Sequence, residues 1–362
     1  LPIGEYNMAF AQGSRSSLAY VVESTFGTTP SGNFINLPFT TSSLNLTKDR
    51  VAGNDIQADR MPRVDRHGNR QVGGDITSDL RDGDFDVFLE SAMLSSWSSN
   101  VLKVGVTPKF FSLQDYAADI DVARRFTGCT IGSMGLSLAP NQMVTTTFNV
   151  VGKDANPTLT AGSFISGDSY KIVTVGTTDF TAIGASANTV GVIFTSTGVG
   201  SGTGTASVGF AIQRAETASS TAAPFDSYSG TLKIGNTGGS LAEAAIITSI
   251  DLTLNNSFAP TFVVGSSSTP SLEYGRAEVE GTITAYFQDI DFISRFIDEV
   301  DTALEVVVGD VAGNTLTFLF PKIKVNTADV GVDGPESRMI TMSFVALYDS
   351  TAQTNFQITR SA

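Results

Sequence analysis

The sequence contains very little of the side-chain chemistry on which most enzymes depend. Its 362 residues include one cysteine, Cys129, and one histidine, His67. A single cysteine excludes a disulfide within the chain and gives no sign of an oxidising compartment, so we expect Cys129 to be a buried structural thiol. A histidine-dependent triad or dyad would need His67. Because His67 lies in the polar, turn-like stretch 66–69, we expect a solvated histidine and no enzyme.

Ligand-binding motifs are missing as well. The glycine-rich run 198–204 is followed by no Gly-Lys-Ser/Thr and no helical pattern, so it lacks the features of a phosphate loop. Asp82, Asp84 and Asp86 have the first spacings of a calcium loop, but its sixth and twelfth positions are Val and Met instead of Gly and Glu. The sequence therefore predicts no catalytic site, no metal site and no cofactor.

Basic residues and long apolar runs are scarce. Lys and Arg number 22 against 36 Asp and Glu, which gives a formal net charge of −14. Such a surface repels a polyanion, so tight binding to nucleic acid is disfavoured, whereas DNA could pass it without adhering. No run of about 18 apolar residues occurs, and no export pattern opens the chain, which predicts no membrane span and folding in a cytoplasm.

The sequence does contain an internal duplication. Three blocks recur in the same order at nearly constant offsets, which indicates two copies of one fold. We call these copies the first half and the second half. Residues 44–46 match 252–254 at an offset of 208, residues 72–80 match 279–287 at 207, and residues 143–148 match 339–344 at 196.

Strand patterns dominate both halves. Gly, Ser and Thr are abundant, and short segments alternate polar and apolar residues with a period of two, which predicts half-buried strands in a mainly β protein. Each half should therefore have a sheet with one polar face. The polar positions are Asp75, Thr77 and Asp79 in the first half and Glu280, Thr282 and Thr284 in the second.

Each half also contains one amphipathic helix pattern. Apolar residues recur at helical spacing, and we expect Asp84 and Asp291 to cap the first turns. A helix that packs on one face of a sheet leaves the other face for solvent or another subunit. The apolar stripes are Phe85, Phe88, Leu89 and Met93 in the first half and Phe292, Phe296, Ile297 and Val300 in the second.

The pattern divides the chain into three segments: 8–155 is the first half, 156–223 is an insertion without a counterpart, and 224–362 is the second half. Within the insertion, residues 170–175 and 190–194 are predicted strands. Its apolar residues favour a small β module over a flexible linker, although both remain open at this stage.

Residues 47–72 form a long segment of dense mixed charge. One interpretation is a solvated loop whose ion pairs contribute about 0 to 1 kcal/mol each. The other is an arm that contacts a neighbouring subunit or ring, with its charges setting the register. Residues 256–276, the equivalent segment of the second half, carry almost no charge, so the two halves should contact different surfaces. The basic candidates for this contact are Lys48, Arg50, Arg60, Arg63, Arg66 and Arg70.

Three stretches resemble the major tail tube proteins of long-tailed, siphovirus-type bacteriophages. They are residues 8–30 (MAFAQGSRSSLAYVVESTFGTTP), 35–39 (INLPF) and 65–70 (DRHGNR). The resemblance covers both halves and implies two tandem β-sandwich or barrel domains, each with one flanking α-helix. It also implies that one sheet of each domain joins its neighbours into a barrel around a channel. The insertion departs from a minimal tube subunit and is expected on the outside of the tube.

The resemblance has further implications for assembly. Tube rings contain six such domains, so a duplicated chain implies a homotrimeric, pseudo-hexameric ring, with a homohexamer as the alternative. Stacked rings would form the tail tube of the virion, through which double-stranded DNA passes without specific binding. Tail terminator and tail tip proteins would be partners at its ends. The six polar strand residues would line the lumen. The competing hypothesis is a β-rich decoration or receptor- or carbohydrate-binding surface protein, and a hydrolase is disfavoured.

Overall fold

The computed structural model describes residues 10–56, 58–59, 61, 63–209, 214–244, 246–310, 313–332 and 334–361. Within these ranges the protein is mainly β, with 25 strands and two α-helices. This confirms the fold class predicted from the alternating pattern.

The first half contains ten strands and one helix. They are β1 (Ser16–Val22), β2 (Phe34–Asn36), β3 (Thr41–Ser42), β4 (Asn45–Ala52), β5 (Asp65–Asp79), α1 (Asp86–Met93), β6 (Val101–Lys103), β7 (Phe111–Ala117), β8 (Val122–Leu138), β9 (Thr145–Gly152) and β10 (Asp154–Ala155).

The insertion and the second half follow. The insertion contains β11 (Thr158–Thr160), β12 (Ser169–Thr174), β13 (Ile193–Thr195), β14 (Thr205–Val208) and β15 (Glu216–Thr217). The second half contains β16 (Asp226–Asn236), β17 (Ala242–Glu243), β18 (Ile247–Asn255), β19 (Ala259–Thr261), β20 (Ser271–Glu273), β21 (Glu278–Tyr286), α2 (Asp291–Ile297), β22 (Thr302–Gly309), β23 (Thr315–Val330), β24 (Met339–Ala346) and β25 (Gln357–Arg360).

The two halves have the same antiparallel strand order. The first runs β1-β7-β8-β9-β5-β4 and the second β16-β22-β23-β24-β21-β18. Even the irregularities repeat, because β8 shifts register against β9 between Ile131 and Ser133, and β23 shifts against β24 between Val325 and Thr327. In both halves the longest strand bends from one sheet of the sandwich into the other, as β-bulges allow.

The strand pairing in the structure corrects one of the three offsets between the halves that were obtained by matching the sequence. Ile76 pairs with Phe148 in the first half, and its equivalent Ile283 pairs with Met342 in the second. The offset from β9 to β24 is therefore 342 − 148 = 194 rather than 196. A slip of two residues leaves the same side chains facing inward, so the alternating pattern could not reveal it.

The core runs through both halves. A single cluster of buried apolar residues extends from Leu18 to Ile358, and the sandwich-facing residues of both halves belong to it. The insertion has its own core around Phe164, Tyr170, Phe180 and Phe194, beneath the four-stranded sheet β11-β14-β12-β13.

The two helices are covered differently. In α1, Phe88 is fully buried, with its ring centroid 5.3 Å from that of Tyr20 and 4.8 Å from that of Phe111. In α2, Phe292 is buried but Phe296 and Ile297 are exposed. The expected capping is wrong for both helices, because neither has a side-chain hydrogen bond at its N-cap.

The aspartates predicted to cap the helices have other partners. The Asp84 carboxylate accepts a hydrogen bond from the Ser220 amide, and Asp291 pairs with Arg295 one turn along α2. The first interaction ties α1 to the end of the insertion, and the second is an i,i+4 pair within α2.

Candidate assembly surface

The two halves meet edge to edge inside the chain. Strand β18 of the second half pairs with the C-terminal part of β8 of the first, from Ile250 opposite Leu138 to Asn255 opposite Ser133. The result is one continuous antiparallel sheet of eight strands, in the order β4-β5-β9-β8-β18-β21-β24-β23. We call the contact between β8 and β18 the inner junction.

Asn256 completes the inner junction. Its backbone N–H donates to the Gly132 carbonyl over 2.9 Å, and its side-chain amide donates to the Ala92 carbonyl in the last turn of α1 over 2.7 Å. Asn256 is fully buried. The second half therefore satisfies a carbonyl at the C-terminal end of the first half's helix, where the helix itself leaves acceptors unpaired.

Both outer edges of the eight-stranded sheet are open. In the described part of the chain, β3 and β4 pair with β5 alone, and residues 324–330 of β23 pair with β24 alone. Open edges present rows of backbone donors and acceptors to any strand that can pair with them. These two edges are the positional equivalents of the two strands that meet in the inner junction.

One face of the eight-stranded sheet is polar across both halves. The six predicted lumen residues all lie on it, since their neighbours Ile76, Leu80, Ile283 and Ala285 point into the core. Hydrogen bonds link side chains across this face: Asn149 to Asp75 over 2.7 Å, Thr77 to Thr147 over 3.2 Å, Ser137 to Asp251 over 2.6 Å and Thr327 to Ser343 over 2.8 Å. The face is thus rich in hydroxyl and carboxylate groups.

The charged segment is a β-hairpin arm rather than a loop. Strands β4 and β5 continue past the sheet, with Lys48 opposite Arg70 and Val51 opposite Arg66, and almost every residue of β4 is exposed. Neither interpretation of the segment, solvated loop or contacting arm, predicted strands, because charged residues are rare in buried strands; this hairpin is solvated on both faces. We call residues 48–70 the arm.

The structure does not gather the six basic candidates into one patch. Arg50 pairs with Asp65 over 2.8 Å and Arg63 with Asp59 over 2.5 Å, both within the arm. Arg70 lies at its base, 2.9 Å from the buried carboxylate of Asp154. Burial raises the pKa of Asp154 and the Arg70 charge opposes that rise. Lys48 and Arg66 are exposed on the arm, and Arg60 lies outside the described residues.

A buried ionic cluster, which the sequence pattern did not reveal, fixes the insertion to the first half. Asp168 of the insertion accepts hydrogen bonds from Arg125 over 2.7 Å and from Arg214 over 2.5 Å and 2.7 Å. Both guanidinium groups also stack near the Phe34 ring. No sequence signal could have shown this, because the partners lie more than 40 residues from Asp168.

The electrostatics of this cluster favour its charged form. Burial acts to raise the pKa of Asp168, but the hydrogen bonds and charges of Arg214 and Arg125 outweigh burial and leave that pKa below its ordinary value. A buried charge persists when it is paired and hydrogen-bonded in this way. The cluster therefore attaches the insertion to the first half through buried, paired charges.

The two residues with catalytic potential have no suitable partners. Cys129 is fully buried, and burial raises the pKa of its thiol well above the ordinary value, so the reactive thiolate is suppressed. His67 lies exposed on β5 of the arm, as expected for a solvated histidine. Among the described residues there is no group of three or more metal-ligating side chains, and no helix is long and apolar enough to cross a membrane.

Comparison with known families decides the identity of the chain. The family model described as phage tail tube protein matches residues 13–346, which include most of both halves and the whole insertion. The chain belongs to the phage tail tube protein family. This confirms the resemblance seen in the opening residues and makes the protein a structural component of a phage tail.

Other comparisons add little to the family assignment. No curated protein sequence matches this tail tube protein. Among solved structures, it is similar to a chain from the tail of an empty GTA particle computed with helical refinement and C6 symmetry. The similarity has 11% sequence identity and a TM-score of 0.26, and covers 38% of this chain and 98% of that one.

Proposed function

We propose that this tail tube protein assembles into rings of three subunits, which stack into the tube through which the phage genome passes to the host. The observation that carries the proposal is the inner junction beside two open edges of equivalent position. A chain that makes this contact once within itself can repeat it with the next subunit, and three repeats close a ring.

The inner junction supplies the register of the proposed contact between subunits. Applying the offset of 208 to β18 and of 194 to β8 converts four of the six pairs of the inner junction into pairs between residues 44–47 and β23. The resulting pairs are Leu44 with Val330, Asn45 with Asp329, Leu46 with Ala328 and Thr47 with Thr327.

The chemistry of these pairs supports the register. Leu44, Leu46, Ala328 and Val330 are on the sandwich side of their strands, whereas Asn45, Thr47, Thr327 and Asp329 are exposed on the polar side. Apolar residues would therefore meet apolar ones, and the polar pairs would match by hydrogen bonding, as cross-strand pairs prefer. A shift by one residue would destroy every match.

Strand count favours three subunits over six. Eight strands from each of three subunits give 24, which at about 4.8 Å spacing and about 40° tilt close into a barrel of roughly 48 Å backbone diameter. Six subunits would need 48 strands and a diameter of roughly 96 Å by the same geometry. The smaller barrel leaves a channel suited to a single DNA duplex.

Among the described residues, the core covers the opposite face of the sheet and leaves the polar face uncovered. We therefore assign it to the lumen, with Asp75, Asp79 and Glu280 among the residues that line it. Carboxylates and hydroxyls repel or weakly contact phosphate, so DNA would pass without being held. Terminator and tip proteins would contact the last rings at the tube's two ends.

Electron microscopy of the purified protein across a concentration series tests this proposal. We expect tubes, or isolated rings at low concentration, each with a central channel. Dispersed monomers at every concentration would overturn it and would favour a decoration protein instead.

A further inference from the structure

The arm has a counterpart that shows where it could bind. In the second half, the chain leaves the sheet after Asn255 and forms the hairpin β19–β20, which lies against the first half. Asn256 caps α1, Tyr274 donates to the Val106 carbonyl over 2.8 Å, and the Ser267 carbonyl accepts from the Arg70 amide over 2.8 Å. In the first half the equivalent segment is the arm, which among the described residues hydrogen-bonds to the second half only through Arg70 at its base.

Equivalent positions identify one contact in particular. Asn256 corresponds to Lys48, since 256 − 208 = 48. The helices end in the same way: Leu94 after α1 and Glu299 after α2 both have left-handed backbones, with φ of 47° and 50°. That sets an offset of 299 − 94 = 205, so the Ala92 carbonyl that Asn256 satisfies corresponds to the carbonyl of Ile297.

The end of α2 suits a lysine better than an amide. Ile297 is followed by Asp298 and Glu299, which are exposed acids. A cation at the C-terminal end of a helix is stabilised by the helix dipole, and here two carboxylates add to that effect. The Glu299 carbonyl already accepts from Lys324 of the same chain, which leaves the Ile297 carbonyl and the two carboxylates for a partner.

Apolar surfaces match as well. The exposed face of α2 carries Phe296 and Ile297, the latter with 66% of its surface accessible, and the N-cap residue Ile290 before it is exposed as well. The arm exposes Val51, Ile56, Met61 and Val64, and Ile56 is almost completely accessible. Contiguous apolar residues beside complementary charges are typical of a surface that another chain covers.

The arm also has a point at which it can bend. Strand β4 shifts register against β5 between Lys48 and Arg50. This bulge follows the same position at which the second half leaves its sheet, after Asn255. A bulge interrupts the ladder and increases the local twist, so the chain can turn there at low cost.

We infer that, within a ring, the arm of one subunit lies across α2 of the next, with Lys48 at the helix end between Asp298 and Glu299. The inference rests on the proposed ring and gives its lateral contact a second component beyond strand pairing. It assigns the arm to contacts around the ring, whereas the charge pattern alone was equally compatible with contacts between stacked rings.

Charge reversal and charge exchange test the Lys48 contact. Lys48→Glu and Glu299→Lys should each raise the protein concentration needed for assembly about tenfold, a change of about 1.4 kcal/mol per contact. The double exchange should recover most of that loss. Lys48→Asn should assemble nearly as the wild type does, because asparagine fills this role in the inner junction. Lys171→Glu, the same charge change on the insertion, is the control and should have no effect.

Chemical cross-linking tests whether the contact is lateral. In Lys48→Cys with Glu299→Cys, a short bis-maleimide should join neighbouring subunits, while the buried Cys129 does not react. If the contact is lateral, the cross-linked species that remain after denaturation will contain at most three chains. Cross-linked products of more than three chains would overturn the inference, and so would a double exchange that assembles no better than the single variants. In either case, tubes of the wild-type protein would still support the ring. Absence of wild-type tubes would overturn both.

Discussion

The second half covers one strand edge and one helix end of the first half, whereas the equivalent edge and helix end of the second half are open to solvent. The edge of β8 is paired with β18, so Met134 and Leu254 are buried, whereas the equivalent edge of β23 leaves Ala328 only half-buried. Likewise Ala92 of α1 is fully buried, whereas its equivalent in α2, Ile297, is 66% exposed. Each of these open surfaces therefore has an equivalent in the first half that the second half already covers. That internal contact shows how a neighbouring subunit could cover the open one.

A charge on the open edge should have the largest effect. Ala328→Lys can keep its ammonium group in water in the free subunit, but a closed ring would bury it opposite Leu46. An unpaired buried charge costs several kcal/mol, so we expect folded subunits that form no rings or tubes. Sedimentation and electron microscopy would show this.

The matched control for that change is Ala328→Met, which places at the open edge the residue found at the filled one, Met134. It should assemble at least as well as the wild type. Normal tubes from Ala328→Lys would mean that the β23 edge is not an interface.

Removing the anchor of the insertion should have the next largest effect, and it acts where the insertion meets the first half. Asp168→Asn leaves Arg125 and Arg214 buried without a countercharge, which typically costs about 3 to 5 kcal/mol. Urea unfolding followed by fluorescence would measure the loss. Asp179→Asn, on the exposed surface of the same module, should change stability by less than about 1 kcal/mol.

Acid should act on the same cluster. The folded-state pKa of Asp168 lies below its unfolded value, which is about 3.9 for an ordinary Asp. Its stabilisation is therefore complete above that value and is lost as pH falls through the folded pKa. The stability difference between wild type and Asp168→Asn should shrink below about pH 4. An unchanged difference at pH 3 would contradict this account.

Truncating one apolar side chain on each helix would test the difference between α1 and α2 directly. Leu89→Ala should destabilise the subunit by about 2 to 5 kcal/mol, because it opens a cavity in a packed core. Phe296→Ala should cost less than about 1 kcal/mol in the isolated subunit, since the ring is partly exposed already. Thermal unfolding of subunits and assembly titrations would separate the two effects. Equal losses of subunit stability would mean that α2 is not an open counterpart of α1.

Ion pairs within the arm should have the smallest effect. Arg63→Ala removes an exposed pair with Asp59, and such pairs contribute about 0 to 1 kcal/mol. We expect nearly unchanged unfolding curves. A loss above about 2 kcal/mol would show that the arm is part of the folded core rather than a projecting hairpin.

Local pattern was sufficient to predict much of the fold. The period-two alternation of Ile76 and Ile283 with polar neighbours predicted a sheet with one polar face, because that signal resides in consecutive residues. Of the apolar residues expected to form the insertion's core, Tyr170, Ile172 and Phe180 are buried, whereas Val173 and Ile193 are exposed. Composition predicts that a module can pack, but strand register decides which side chains do so.

The sequence could not predict which distant strands pair with one another. The inner junction joins strands more than 100 residues apart, and Asn256 is an unremarkable polar residue until α1 lies beside it. Neither interpretation of the arm, solvated loop or contacting arm, predicted its hairpin, because hairpin pairing of charged strands leaves no amphipathic pattern. The helix caps were wrong because Asp84 and Asp291 had stronger alternatives in Ser220 and Arg295.

The most direct test of the central claim is a helical reconstruction of tubes formed by the purified protein. We predict three chains in each ring, a lumen wall of 24 strands, and Leu46 of one subunit opposite Ala328 of the next. Six chains in each ring, or a wall in which the β23 edge contacts anything other than β3 and β4 of a neighbour, would contradict it.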